Sequence, residues 1–350
     1  LTRPDQTRPD QNYARNSSLE LLRIIGMLFI IAHHFSVHGG FSFPTNLLTV
    51  NRLWQQFILM GGSLGNDVFV MLSGYFLVKS DSINFRKLLG LWAKMFFYSV
   101  VIYAVFITSG KAAFGFKSAI KAIMPVTRSQ WWFASTYFIM YLIHPYINIL
   151  LKSFSREDYV KFLLTIGLYW CIIPTLTKSD FGANQTINFV CLYSLAGFMR
   201  LHAERFGNSK YILYGLMCVA VNFLSVVVLD VIGMKIPLAG RNASYFTGMM
   251  RPFTILAVSC LLVGFRSLEI LHSKFINLLA SATFGVYLIH DNAHVRHFLW
   301  NDLFKNASFQ DSPYLIPYTV AVVLIVYVSC TVIELIRSQV FRRLSGGKLS

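Results

Sequence analysis

Leu19–His38 reads LELLRIIGMLFIIAHHFSVH. As a helix, twenty residues extend about 30 Å, the thickness of a bilayer's hydrocarbon core. Every side chain from Ile24 to Ala32 is apolar or absent, so the stretch predicts a membrane-crossing helix. Nine further apolar stretches follow, giving ten expected spans near 18–38, 54–78, 87–108, 131–151, 159–176, 187–201, 211–233, 249–265, 275–293 and 315–337. The composition agrees. Of 350 residues, 55% are apolar and 13% charged, whereas a soluble domain carries about 25% charged residues. A water-soluble two-domain protein and a disordered chain are both excluded. The expected fold is all-α, a polytopic membrane helical bundle of about ten transmembrane helices.

A net charge of +16 would suggest nucleic acid in a soluble chain. Here it orients the helices, because cytoplasmic loops are enriched in Lys and Arg. The two tails and the even-numbered loops carry eighteen such residues against eleven in the odd-numbered loops, which places both termini in the cytoplasm and leaves no role for nucleic acid. Residues 1–15, with a five-residue repeat rich in Pro and charge, read as an unstructured tail without a cleavable signal peptide, ahead of one membrane domain at 16–345. Cys171, Cys191, Cys218, Cys260 and Cys330 all lie in apolar segments and read as packing residues. The loop at 109–130 combines Lys111, Lys117 and Lys121 with Phe114, Ile120 and Ile123, a pattern that fits an interfacial amphipathic helix but first of all a solvated basic loop binding lipid headgroups.

Arg23 and Lys94 fall inside expected spans. A charge there costs roughly 2.5–3.5 kcal/mol even on lenient insertion scales, so each needs a partner or a ligand. Arg23 and His34 are eleven residues apart. That spacing is three turns plus about 20°, so the two share a helix face, roughly 16 Å apart along the axis. His33 points about 80° away from that face. With Ser18 at the cytoplasmic face, Arg23 lies in the inner leaflet and His34 in the outer half of the membrane. This geometry suits a long anionic ligand entering from the cytoplasm, its phosphate held by the guanidinium and its far end near an imidazole base. A snorkelling Arg and a hydrogen-bonded bundle His would satisfy the same spacing.

Four stretches carry a resemblance in order. Arg23 and His34, separated by ten residues, resemble the signature of the acyltransferase-3 family of integral membrane acyltransferases. Gly65–Phe76 (GNDVFVMLSGYF) looks like the family's second-helix motif, and Trp131–Pro145 (WWFASTYFIMYLIHP) like its Trp-Phe helix. Phe284–Asn292 (FGVYLIHDN), followed by Arg296, is similar to the ninth-helix motif of members that modify surface glycans. The likeness runs from about residue 15 to 340. It departs where many members open the third helix with an Arg-rich run. Here that helix offers Arg86, Lys87 and Lys94, and a lysine lacks the planar fork that grips phosphate bidentately. The extracellular domain fused to the C-terminus of many members is not expected in this chain.

The resemblance implies an acyl-CoA-dependent O-acyltransferase of the bacterial cytoplasmic membrane. Its donor is expected to be acetyl-CoA and its acceptor a hydroxyl of an envelope polysaccharide or a lipid-linked precursor, with no bound cofactor. Arg23 and His34 are then catalytic, His34 as general base or as covalent acyl carrier. Arg23, Lys94, Arg86 and Lys87 would bind the donor. Asp67 and Ser73 are supporting residues: Asp67 would neutralise Arg23 or Lys94, and Ser73 with Gly74 permits close helix packing. Tyr287, His290, Asp291 and Asn292, at about the depth of His34, would wall the acceptor pocket, with Tyr287, His290 and His294 on one face. The His290/His294 pair has metal-ligand spacing but lacks a third ligand, so no metal is expected. Trp131 and Trp132 fit an interfacial aromatic belt, and His144-Pro145 a kink or helix end. Two rivals stand beside the enzyme. One is a transporter or flippase for a glycan intermediate, although no internal repeat is evident. The other is a structural subunit, which would leave Arg23 and Lys94 without a role.

Overall fold

The computed structural model describes residues 16–44, 46–203 and 207–344; the tail expected at 1–15 lies outside them. Fifteen α-helices follow in order: α1 Ser17–His38, α2 Val50–Leu59, α3 Gly61–Leu77, α4 Phe85–Thr108, α5 Phe116–Ile123, α6 Trp132–Ser153, α7 Arg156–Gly167, α8 Ile173–Thr177, α9 Gln185–His202, α10 Lys210–Gly233, α11 Pro237–Arg241, α12 Pro252–Arg266, α13 Lys274–His290, α14 Ala293–His297 and α15 Leu315–Leu344. No strand occurs among the described residues. The chain is an all-α, multi-pass membrane bundle.

All ten expected spans are helical. Among the described residues, eight segments are long and apolar enough to cross a bilayer: α1, 50–77, α4, α6, 156–177, α10, 237–266 and α15. The stretches of α9 and α13 are helical but shorter, at 18 and 17 residues. In α13 most side chains from Ala280 to His290 are buried, so its composition answers to neighbouring helices more than to lipid. A π-turn at Leu168–Ile172 interrupts the fifth span.

Local signals start the helices where a backbone donor would otherwise be orphaned. The Asn16 side chain accepts from the amides of Ser18 and Leu19 at 3.0 and 3.2 Å, and Asn84 caps α4 through Lys87 N–H at 3.0 Å. Glycines then bring α1 and α3 together. A Cβ on Gly65 would stand 2.5 Å from the Gly26 carbonyl oxygen, and one on Gly62 2.5 Å from the His33 ring. Without an apolar-solvent difference between lipid and helix, close backbone approach is the main source of packing energy.

The ends of the bundle are fixed by α1, α13 and α15. Ser17 Oγ donates to Asn277 Oδ1 at 3.2 Å and Ser18 Oγ to the Leu268 carbonyl at 2.8 Å, so α1 and α13 start side by side. Asn301 and Asn306 donate to the carbonyls of His38 and Phe35, and Tyr318 donates to the Phe304 carbonyl. These bonds set the start of α15 beside the end of α1. α15 therefore returns to the end of the bundle where α1 begins.

Two sequence expectations are revised. Trp131 is 0% exposed in the core while Trp132 is 36% exposed, so only Trp132 can face lipid. Pro145 sits inside a continuous α6, without ending it. The basic loop holds a short helix, α5, and Phe114 before it and Phe116 and Ile123 at its two ends are exposed, which agrees with the interfacial-helix expectation.

Candidate active site

Two polar centres lie along α1. Near its N-terminal end, Arg23 Nη1 meets Glu20 Oε2 at 2.5 Å, one turn earlier on the same helix. Arg23 keeps 25% of its side chain exposed while Glu20 is buried. Ser73 of α3 bonds its own helix, Oγ to the Phe69 carbonyl at 2.8 Å. Tyr137 of α6 neighbours both Ser73 and Arg23. The guanidinium thus lies where polar side chains of α1, α3 and α6 come together, paired with one carboxylate.

Lys94 does not meet Asp67. Its Nζ lies 2.9 Å from Glu334 Oε1 on α15. Arg337 forks onto the same carboxylate with Nε and Nη2 both at 2.8 Å, and Tyr98 donates to Oε2 at 2.6 Å. Glu334 is buried against Gly285, where a Cβ would stand 2.5 Å from Oε2. Two cations against one anion leave this cluster net positive. Arg86 and Lys87 stand exposed at the start of α4, two turns from Lys94.

Asp67 is fully buried, and among the described residues neither of its oxygens has a hydrogen-bond partner. It is seven residues from Gly74, which packs against the Tyr193 backbone of α9. Seven residues are nearly two full turns, so Asp67 shares that α9-facing side. The expectation that it neutralises Arg23 or Lys94 is corrected: Glu20 and Glu334 do so.

Near the C-terminal end of α1, His34 is the hub. Its Nδ1 lies 2.9 Å from His290 Nε2, and its Nε2 lies 3.4 Å from Asp291 Oδ1. The side chain is 12% exposed. His290 Nδ1 is 2.6 Å from the Val286 carbonyl, which only accepts. Hydrogen-bond logic then assigns the tautomers. His290 carries its proton on Nδ1 and accepts at Nε2, so His34 donates from Nδ1 and holds a lone pair at Nε2. Asp291 is buried, with Arg296 Nε 2.9 Å from Oδ1 and donating to the Asp291 carbonyl at 2.9 Å.

The other expected pocket residues divide. Tyr287 is buried on α13, its ring 6.2 Å from that of His290 and 5.9 Å from that of Phe133. Asn292 caps α14, its Oδ1 accepting from His294 N–H at 3.0 Å. Because α13 stops at His290 and turns at Asp291, His294 leaves the face expected for it. It packs instead 5.7 and 5.5 Å from the rings of Tyr103 and Phe106. His33 also separates from His34. Its Nδ1 bonds the Leu59 carbonyl at 2.7 Å and its ring fills the notch at Gly62.

The sequence model of the acyltransferase-3 family, described as an acyltransferase domain, matches residues 16–334. The chain belongs to the acyltransferase-3 family. It is a membrane acyltransferase, and the four motifs that resembled the family lie inside the matched region. No curated protein and no solved structure matches the chain. Within this acyltransferase the R-x10-H pair of α1 joins both centres, Arg23 at one and His34 at the other. Sequence reasoning missed Glu20 and Glu334. Glu20 was legible, being three residues from Arg23 on one helix. Glu334 was not, since it is 240 residues from Lys94.

Proposed function

We propose that the chain transfers an acyl group, acetyl in the first instance, from cytoplasmic acyl-CoA to a hydroxyl of a cell-envelope polysaccharide or its lipid-linked precursor, in the bacterial inner membrane. The observation that carries this reading is the hydrogen-bonded line Val286–His290–His34, which leaves His34 Nε2 as a free base beside Asp291. An alcohol is a weak nucleophile until its proton is taken, and a positioned base contributes about 10²–10⁴-fold. His34 Nε2 removes the hydroxyl proton as the oxygen attacks the thioester carbonyl. The resulting imidazolium then points its new N–H at the Asp291 carboxylate. Collapse of the tetrahedral intermediate expels the CoA thiolate, and the imidazolium proton is available to it.

Donor phosphates belong at the inward end. Arg23 offers a bidentate fork, with Arg86, Lys87 and Lys94 as further cations around the same end of α4. Glu20 holds Arg23 in the absence of donor, so phosphate must compete with one carboxylate. Asp291, Asn292, Tyr287 and His290 fall to the acceptor end, where His290 and Asp291 serve His34 directly. The transporter reading loses ground because a free-base imidazole braced by a second histidine is machinery for proton transfer.

The test compares surface glycan from cells lacking the protein, complemented with the native chain or with His34→Ala. Native complementation should restore a mass increment of one acyl group per modified sugar, and His34→Ala should not, at equal membrane abundance. A fully active His34→Ala chain would sink the catalytic assignment and revive transport. An acyl increment on His34 itself in the intact chain would convert the base into a covalent carrier.

A further inference from the structure

His34 has a second histidine neighbour that the transfer chemistry leaves idle. His38 follows it by one helical turn on the same face of α1, the ring centroids 5.4 Å apart. Asp291 approaches both from the junction of α13 and α14. One ligand atom each from His34, His38 and Asp291 lies within 4.8 Å of the other two. From these contacts we infer that the three side chains form a site for one divalent transition cation, zinc foremost, bound at the histidine that carries the reaction.

The geometry suits a tetrahedral ion. Zinc holds imidazole nitrogen and carboxylate oxygen at about 2.0–2.2 Å, which separates neighbouring ligands by about 3.3–3.5 Å. His34 Nε2 and Asp291 Oδ1 already stand 3.4 Å apart. His38 is half-buried, and bringing it to the third corner takes a side-chain shift of about 1–1.5 Å. Three protein ligands leave a fourth position open, as zinc sites with an exchangeable ligand do.

The surroundings match what a ligating histidine requires. Such a residue donates its other ring N–H to an acceptor, which fixes the ring and raises its basicity. His34 does this through Nδ1 to His290 Nε2, and His290 in turn is braced by the Val286 carbonyl. Asp291 is oriented by Arg296. That guanidinium also selects among ions. It offsets the only carboxylate in the set, so Mg²⁺ and Ca²⁺, which rely on several oxygen ligands, are disfavoured. Two imidazoles favour zinc, copper and nickel.

A cation on Nε2 occupies the lone pair that the proposed transfer uses, so zinc binding and acyl transfer exclude one another. This consequence rests on the reading of His34 as the base; the binding site does not. The full chain, purified in detergent, is titrated with Zn²⁺ against a chromogenic chelator. One Zn²⁺ per chain is expected, with affinity at least about tenfold weaker in His38→Ala and unchanged in His294→Ala and His297→Ala. In a transfer assay, Zn²⁺ should inhibit the native chain, while His38→Ala should transfer at the native rate and resist the metal. Absence of stoichiometric binding by the folded native chain, or native affinity in His38→Ala, overturns the site. Binding that needs His38 in a chain without transferase activity keeps the site and removes the reading of His34 as base.

Discussion

His33 and His34 are adjacent in the sequence and chemically identical, yet their surroundings separate them completely. His33 spends Nδ1 on the Leu59 carbonyl and fills a glycine notch in α3. His34 spends Nδ1 on a second histidine and keeps Nε2. His33→Ala should therefore retain most transferase activity, at some loss of stability. His290→Ala should fold and reach the membrane, yet lower the rate by on the order of 10²–10⁴-fold, because it frees the wrong tautomer of His34. Rates from purified protein in detergent, normalised to folded protein by gel filtration, check both. Equal losses in the two variants would contradict the division of roles.

At the scale of elements, α1 carries both polar centres, Arg23 with Glu20 near its start and His34 with His290 and Asp291 near its end. Arg23→Ala should weaken acyl-CoA binding, and Arg23→Lys should recover only part of it, since the charge returns without the planar fork. Binding measured by calorimetry on the detergent-purified chain decides this; an unchanged affinity in Arg23→Ala removes Arg23 from the donor site. The packing of α4, α13 and α15 converges on Glu334. Gly285→Ala would press a methyl against that carboxylate, disturbing the bonds from Lys94, Arg337 and Tyr98. Overpacking of this kind costs about 1–3 kcal/mol, and breaking a buried ion pair up to about 3–5 kcal/mol. A lowered thermal midpoint for Gly285→Ala, with Ala280→Gly milder, is the expected outcome. No shift would show that α13 and α15 have slack there.

For the molecule as a whole, the charge bias and the return of α15 to the starting end of α1 describe one topology. Reporter fusions at Gly207 and Asn242, on either side of α10, should report opposite faces of the membrane, with Gly207 cytoplasmic. The same face for both would break the expected order of crossings. A buried pair secures α10 at the other end: Arg52 of α2 reaches Asp230 Oδ1 with Nη2 at 2.5 Å, and Gln56 adds a bond at 3.2 Å. Arg52 is thus a tether between α2 and α10.

Apolar length and loop charge are properties of contiguous segments, and from them alone the sequence determined the all-α membrane bundle and the ten helical stretches. Helical phase likewise put Arg23 and His34 on one face, because 3.6 residues per turn is a local rule. The motif order pointed to the family for the same reason. Tertiary structure alone decided who partners whom. Asp67 was the expected counter-ion of Arg23 or Lys94, but its phase on α3 turns it toward α9, and only packing reveals that. Glu334 reaches Lys94, and His290 with Asp291 reaches His34, across more than two hundred residues of chain. A buried charge or imidazole must find its partner in space, and spacing along one helix carries no information about which distant helix supplies it.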